Sequence, residues 1–437
     1  MTRPTSPLTW DELTAMAADV LLMAGEDLTP EDGPYVTPGW DSQRHVELFA
    51  ALETRCGRTF EAREVFSTPT LGKILTLLTA DPSEGVGTAG TALADPAPAS
   101  APNEDHVSYG LRGVVADDTE ISRVDSLGDR LIVRGRDLIE EATARSFENA
   151  VALTLGRPLH DLPAIDPSWR AMEAAPENPL VAMQLAVLAA GSQTSEADYE
   201  WLLVVLLDAV RWWRGANTTT AAPNAPLAQI VLDALGGTAA DDEVLHVFEN
   251  TLSLQVEHGA NASSFTARVV ASTGSDVSAA VASALAAFGG WRHGGATADV
   301  DRFLAELAED GPTATVAHWK GEGRPMPGFG HSVYRAADPR ATSLRDFLDK
   351  LAMTRPELED QLAGIDSVRD ALTAERRLGV AENVDLYAGI VYDMVGIASP
   401  LHVATFALSR LAGWVAHVHE QVEHGFLIRP DLRYVGQ

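Results

Sequence analysis

The sequence predicts a mostly α-helical protein: a small N-terminal helical bundle, a linker, and a much larger all-α region. Three observations carry that. Apolar residues recur at helical spacing in the first 80 residues and again, nearly throughout, beyond about residue 136. Residues 80–107 are dominated by Gly, Ala, Pro, Ser and Thr and cannot bury a core. Ala-rich segments such as Val277–Phe288 point to close helix–helix packing. At 437 residues the chain is long enough for two or three domains with a sizeable core.

The first unit spans residues 8–79. Thr9-Trp10-Asp11-Glu12 has the form of a capping box, and Leu13, Met16, Ala17, Val20 and Leu21 follow on one helix face. A second helix is expected to start at Asp41-Ser42, carry Val46, Phe49 and Ala50, and end near Gly57. A last helix runs from about Leu71 to Leu78. His45 reads as a surface helix residue and Cys56 as a buried small apolar group. Fully extended, the linker would reach about 80 Å at about 3.1 Å per residue. Beyond it, Gly110–Val115 and Leu131–Gly135 read as short β-like segments before the helical region begins.

The formal net charge of -30 disfavours nucleic acid and anionic membrane as partners, because phosphate binding needs clustered Lys and Arg. An anionic substrate must then be held by locally concentrated arginines. Cys56 is the single cysteine, so neither an intramolecular disulfide nor a cysteine zinc site is expected, and no metal site is. The most apolar run, Trp201–Trp213, is too short to span a bilayer and contains Asp208. With no signal peptide before Thr9, the expected location is cytoplasmic.

Four short motifs carry the chemistry. They read Leu254-Gln255-Val256-Glu257-His258-Gly259-Ala260-Asn261-Ala262-Ser263, Arg292-His293-Gly294-Gly295-Ala296, Gly328-Phe329-Gly330-His331-Ser332-Val333-Tyr334-Arg335, and Asn383-Val384-Asp385-Leu386-Tyr387-Ala388-Gly389. Each has an ordinary reading alone: a core histidine, a turn, a helix cap. In this order they resemble the citrate synthase family from about residue 108 to the C-terminus. The resemblance implies an all-α dimer with a large domain, 108–293 and 397–437, and a small domain, 294–396. It implies Asp385 as the base at a thioester's α-carbon, His293 as donor to the enolate oxygen, and His331 as donor to the ketone. His258, Arg340, Arg410 and Arg429 would bind a 2-oxo dicarboxylate, Arg429 from the neighbouring subunit. Arginine forks suit carboxylates. The chain departs from the family's pattern at Gln255, Thr297, Ser332 and Asp431; the last two remove positive charge near the coenzyme A site, where Arg335 remains as a phosphate contact.

Gly39-Trp40-Asp41-Ser42-Gln43-Arg44-His45-Val46-Glu47-Leu48 resembles the phosphopantetheine attachment site of acyl and peptidyl carrier proteins, with Gln43 where such sites usually have Leu. Asp41-Ser42 also reads as a plain N-cap. The resemblance implies 4'-phosphopantetheine on Ser42, installed by a phosphopantetheinyl transferase. The expected function is a carrier-fused condensing acyltransferase that adds a carrier-bound acyl thioester to an oxo acid such as oxaloacetate, in specialised biosynthesis. The alternatives are a conventional citrate or 2-methylcitrate synthase using free acyl-CoA with the first unit as a docking element, and a non-catalytic carrier or scaffold.

Overall fold

The computed structural model describes residues 8–21, 28–30, 32–33, 37, 40, 42–56, 60, 70–79, 114–125, 130–165, 170, 174–191, 197–216, 225–331, 333–334, 337–374 and 380–433. They fall into two compact units, one containing the described residues up to 118 together with 430–433, and one built from the described residues of 119–374 and 380–429.

The first unit contains α1 (Trp10–Leu21), α2 (Ser42–Cys56) and α3 (Leu71–Thr79). The capping box forms: the Glu12 main-chain N–H donates to Thr9 Oγ1 at 3.3 Å, and the Thr9 N–H donates to Glu12 Oε2 at 3.1 Å. Leu13, Ala17, Leu48, Leu52, Leu71 and Ile74 share a small core of their own. His45 is not a surface residue. It is buried, with its ring centroid 5.2 Å from Phe49 and 6.0 Å from Trp40. Its face of α2 is the core-facing one, and the aromatic neighbours accept a flat ring there. Cys56 is only partly buried, at the last position of the helix.

The second unit opens with a three-stranded antiparallel sheet in the order β1 (Ser122–Asp125), β2 (Arg130–Val133), β3 (Arg136–Asp137). Ser122 pairs with Val133, and Val133 with Arg136, across a two-residue turn whose Arg134 and Gly135 both have positive φ. Leu131–Val133 is therefore strand, whereas Val114 and Val115 are irregular and exposed; the strand that pairs is the one next to buried Ile121.

Helices follow: α4 (Leu138–Ala144), α5 (Phe147–Leu155), α6 (Pro179–Ala190), α7 (Asp198–Trp213), α8 (Leu227–Leu235), α9 (Asp242–Gln255), α10 (Ala262–Ser272), α11 (Val277–Phe288), α12 (Thr297–Gly321), α13 (Pro339–Ala352), α14 (Pro356–Ala374), α15 (Val384–Met394) and α16 (His402–His424). The apolar run 201–213 lies in α7, a buried core helix whose Glu200 and Asp208 pair with Arg157 and Arg170. Gly311 and Pro312 break α12 into two segments. Among the described residues no helix is long and apolar enough to cross a membrane. Helix α16 is the central strut, buried along most of its length, including Arg410 and Trp414.

The turn between α11 and α12 is closed by glycine. A Cβ on Gly294 would lie 2.3 Å from the Phe288 ring, and one on Gly295 would lie 2.6 Å from the main-chain oxygen of Gly289. Gly295→Ala is expected to cost about 1–3 kcal/mol, since backbone must move to admit the methyl. Gly321→Ala, at the end of α12 with nothing within 4 Å, should be neutral or slightly stabilising. Urea midpoints for the two variants check this; equal effects would contradict the close packing of the turn.

Candidate active site

Loops at helix starts deliver the chemical groups. His258 follows α9, where Gly259 takes φ +64° to turn the chain into α10. The next cap, Asn261, accepts the N–H groups of Ser263 and Ser264 at 3.1 and 3.2 Å. His293 sits in the glycine turn before α12. His331 lies on the loop 328–334. Asp385 is in the first turn of α15, whose cap is Asn383.

Two of these loops are stitched together. Phe329 pairs with Glu382 as an antiparallel bridge, Gly330 N–H donates to Ala381 O at 2.7 Å, and Asn383 N–H donates to Gly328 O at 2.9 Å. The Asn383 side-chain amide adds a bond to Gly330 O at 3.1 Å. Gly328 has φ +76°, and a Cβ there would meet Leu386 at 2.8 Å. The His331 loop is thus held against the start of the Asp385 helix.

Asp338 joins a third element to these two. It caps α13 by accepting Arg340 N–H, takes the Arg340 guanidinium through Nε at 3.0 Å and Nη2 at 2.8 Å, and accepts Val384 N–H at 3.1 Å. Both charged side chains are buried. Burial opposes the charge on each, yet the pair holds Asp338 below and Arg340 above the usual ranges.

His331 Nδ1 accepts the main-chain N–H groups of Val333 and Tyr334, at 3.0 and 3.2 Å. A neutral imidazole whose Nδ1 is an acceptor carries its proton on Nε2. That nitrogen lies 3.4 Å from Arg340 Nη2; both atoms then carry hydrogens, so this approach is a contact and not a hydrogen bond. The His258 and His331 ring centroids are 5.2 Å apart, and His258 Nε2 is 3.1 Å from the Tyr334 hydroxyl. Nε2 of His293 lies 2.8 Å from Ser263 Oγ, which also receives Trp414 Nε1–H at 3.0 Å and lies 2.8 Å from Asn261 Oδ1.

Electrostatics sorts the groups by charge. Burial, with Arg410 nearby, pushes His293 down to about 4. Burial, with Arg340 beside it, likewise takes His331 to about 4 against the pull of Asp338. Burial and the charges of Arg340, His331 and Arg410 hold His258 well below the ordinary histidine range. The same burial, with Asp338 near, lifts Asp385 to about 6 despite Arg340 and Arg410. Arg410 drops to about 10 through burial but stays charged at neutral pH, with Glu257 as counter-charge; its Nε donates to Gln255 O at 2.7 Å. The site can remove a weakly acidic proton and donate two neutral N–H bonds beside two buried cations.

Of the residues expected from sequence, His258, His331 and Arg340 meet directly, and Asp385, Arg410 and His293 lie within electrostatic reach of them or of each other. Arg429 is exposed on the chain segment after α16. Arg335 and the Ser42 side chain lie outside the described residues. Sequence reasoning missed Asp338, Ser263 and Tyr334, although each stands inside or beside a quoted motif. Their signal was present only as cap chemistry: Asp338-Pro339 opens a helix, and Asn261 precedes Ser263.

The comparisons agree with this geometry. Residues 110–431 match the family model for the citrate synthase C-terminal domain. The chain is 32% identical over 374 residues to a 2-methylcitrate synthase of Corynebacterium glutamicum, covering 76% of this chain and 95% of that protein. It is 30% identical over 365 residues to a citrate synthase of Haloferax volcanii, covering 75% and 95%. It is similar in structure to the Thermoplasma acidophilum citrate synthase solved as a ternary complex with carboxymethyl coenzyme A and oxaloacetate. That likeness has a TM-score of 0.65 at 25% identity and covers 76% of this chain and 97% of the other.

The charge sorting is directly measurable. In carbon-labelled protein the Asp385 carboxyl should titrate near pH 6, while His293 and His331 stay neutral down to about pH 5. An Asp385 midpoint near 4 would contradict the burial read for it.

Proposed function

Because the chain belongs to the citrate synthase family, we propose that it condenses an acyl-CoA thioester with a 2-oxo dicarboxylate, of which oxaloacetate is the type, to give a citrate-like or 2-methylcitrate-like product. One observation carries the reading: a carboxyl lifted toward neutrality lies within electrostatic reach of Arg340 and Arg410, the same buried arginines that act on the neutral imidazoles of His258, His293 and His331. A base for a weakly acidic C–H must be ionisable near working pH, and its partners must donate without already being charged.

The steps follow from the groups. Arg340 and Arg410 take the oxo acid's carboxylates, with Arg429 supplied by the other subunit of a dimer. Ionised Asp385 removes the proton from the thioester's α-carbon. His293 stabilises the enolate oxygen by donating a ring N–H. The enolate carbon adds to the ketone carbon, and His331 gives its Nε2 proton to the new alkoxide. Hydrolysis of the product thioester then completes turnover. A small domain of residues 294–396 would close over the cleft and exclude water. Dimerisation is supported by α6, where Val181, Leu185 and Leu188 stand exposed at 38%, 37% and 57% along one face.

A second reading concerns the acyl donor. Helices α1–α3 enclose their own core, and Ser42 is the first residue of α2, the position where a helix start favours a phosphodiester. On this reading the acyl group arrives on a Ser42-linked phosphopantetheine arm, and tethering raises its effective concentration. Intact mass after treatment with a phosphopantetheinyl transferase and CoA, in wild type and Ser42→Ala, separates the two donors.

The test of the condensation itself uses acetyl-CoA and propionyl-CoA with oxaloacetate. Wild-type turnover should rise as pH increases through about 6, since the ionised form of Asp385 is the active one. Asp385→Asn should lose at least about a thousandfold in kcat while still binding oxaloacetate, because no arginine is touched. Unchanged turnover in that variant would show that another group takes the proton.

A further inference from the structure

Tyr334 ties the two oxo-acid histidines together by two different groups. Its main-chain N–H is one of the two donors that fix His331 Nδ1, at 3.2 Å. Its hydroxyl lies 3.1 Å from His258 Nε2. The phenol ring is buried, with its centroid 4.7 Å from that of His331 and 5.5 Å from that of His258.

The proton on His258 follows from its neighbours. With the phenol O–H directed at Nε2, 3.1 Å away, the neutral ring carries its proton on Nδ1, the nitrogen left to donate to an oxo-acid oxygen. A neutral imidazole protonated there presents a lone pair at Nε2. The phenol O–H is then the donor and His258 Nε2 the acceptor. Burial, with Arg340, His331 and Arg410 near, keeps the ring neutral, so removing the hydroxyl would leave a buried acceptor without this partner.

We propose that Tyr334 is a positioning residue for the oxo-acid site, its hydroxyl setting the tautomer and orientation that His258 offers to the bound oxo acid. The proposal rests on the condensation reading above. The division of labour within the residue gives it a signature. The hydroxyl acts on His258, which contacts the oxo acid. The main-chain N–H and the ring act on His331, which moves a proton in turnover. Tyr334→Phe keeps the second set and removes the first.

The experiment measures Tyr334→Phe beside wild type. Oxaloacetate affinity, by calorimetry and as KM, should weaken about tenfold. kcat should stay within about threefold, the acyl-CoA KM at saturating oxaloacetate should not change, and the melting temperature should match wild type. Nitrogen shifts of ring-labelled histidine should show one tautomer for His258 in wild type and a mixture in the variant. Oxaloacetate affinity equal to wild type would overturn the proposal. So would a uniform loss of kcat and both KM values with a lowered melting temperature, which marks a packing role. Wild type that neither binds oxaloacetate nor condenses it would instead overturn the parent reading, and this one with it.

Discussion

A single buried carboxylate, Asp338, carries the geometry of the site. It caps α13, grips the Arg340 guanidinium at two points, and accepts the N–H that begins the Asp385 helix. An arginine cannot escape burial by losing its proton, so a counter-charge must accompany it. Asp338 satisfies that need and spends its remaining acceptor capacity on the neighbouring backbone. The loop of His331, the Arg340 guanidinium and the start of the Asp385 helix are thereby fixed relative to one another, the preorganisation that the proposed condensation would use.

Burial then does opposite things to opposite charges. It neutralises His258, His293 and His331, lifts Asp385, and leaves Arg340 and Arg410 charged because their ordinary values are so high. A second buried network supports Arg410 from the far side. Glu257 accepts from Ser122 at 2.9 Å and lies 3.3 Å from His417, whose Nδ1 receives an Arg268 N–H at 3.1 Å. Charges of alternating sign, Glu420, Arg268 and, through His417, Glu257, lead toward Arg410. In a chain of net charge -30, the dicarboxylate of the proposed reaction would meet two arginines held out of water.

Much of this was legible in the sequence. The capping box at Thr9, the start of the helix at Ser42 and the Ala-rich helix 277–288 follow from local patterns that tertiary packing does not override. The four motifs announced His258, His293, His331 and Asp385 because their spacing and glycines are specific together. What was not legible was pairing across distance. Nothing at position 338 says that its carboxylate also reaches Val384, and nothing at Ser263 says that it faces both His293 and Trp414. His45 is a partial exception: its i+4 neighbour Phe49 already marked its helix face as the apolar one, and the contact with Trp40 completes its burial.

The most direct test of this account is Asp338→Asn, which keeps the shape and one acceptor oxygen but removes the counter-charge of buried Arg340. The variant should lose about 3 kcal/mol of stability, in line with breaking a buried pair, and kcat/KM for oxaloacetate should fall by about two orders of magnitude. An enzyme that melts and turns over like wild type would show that the site is held together by something other than Asp338.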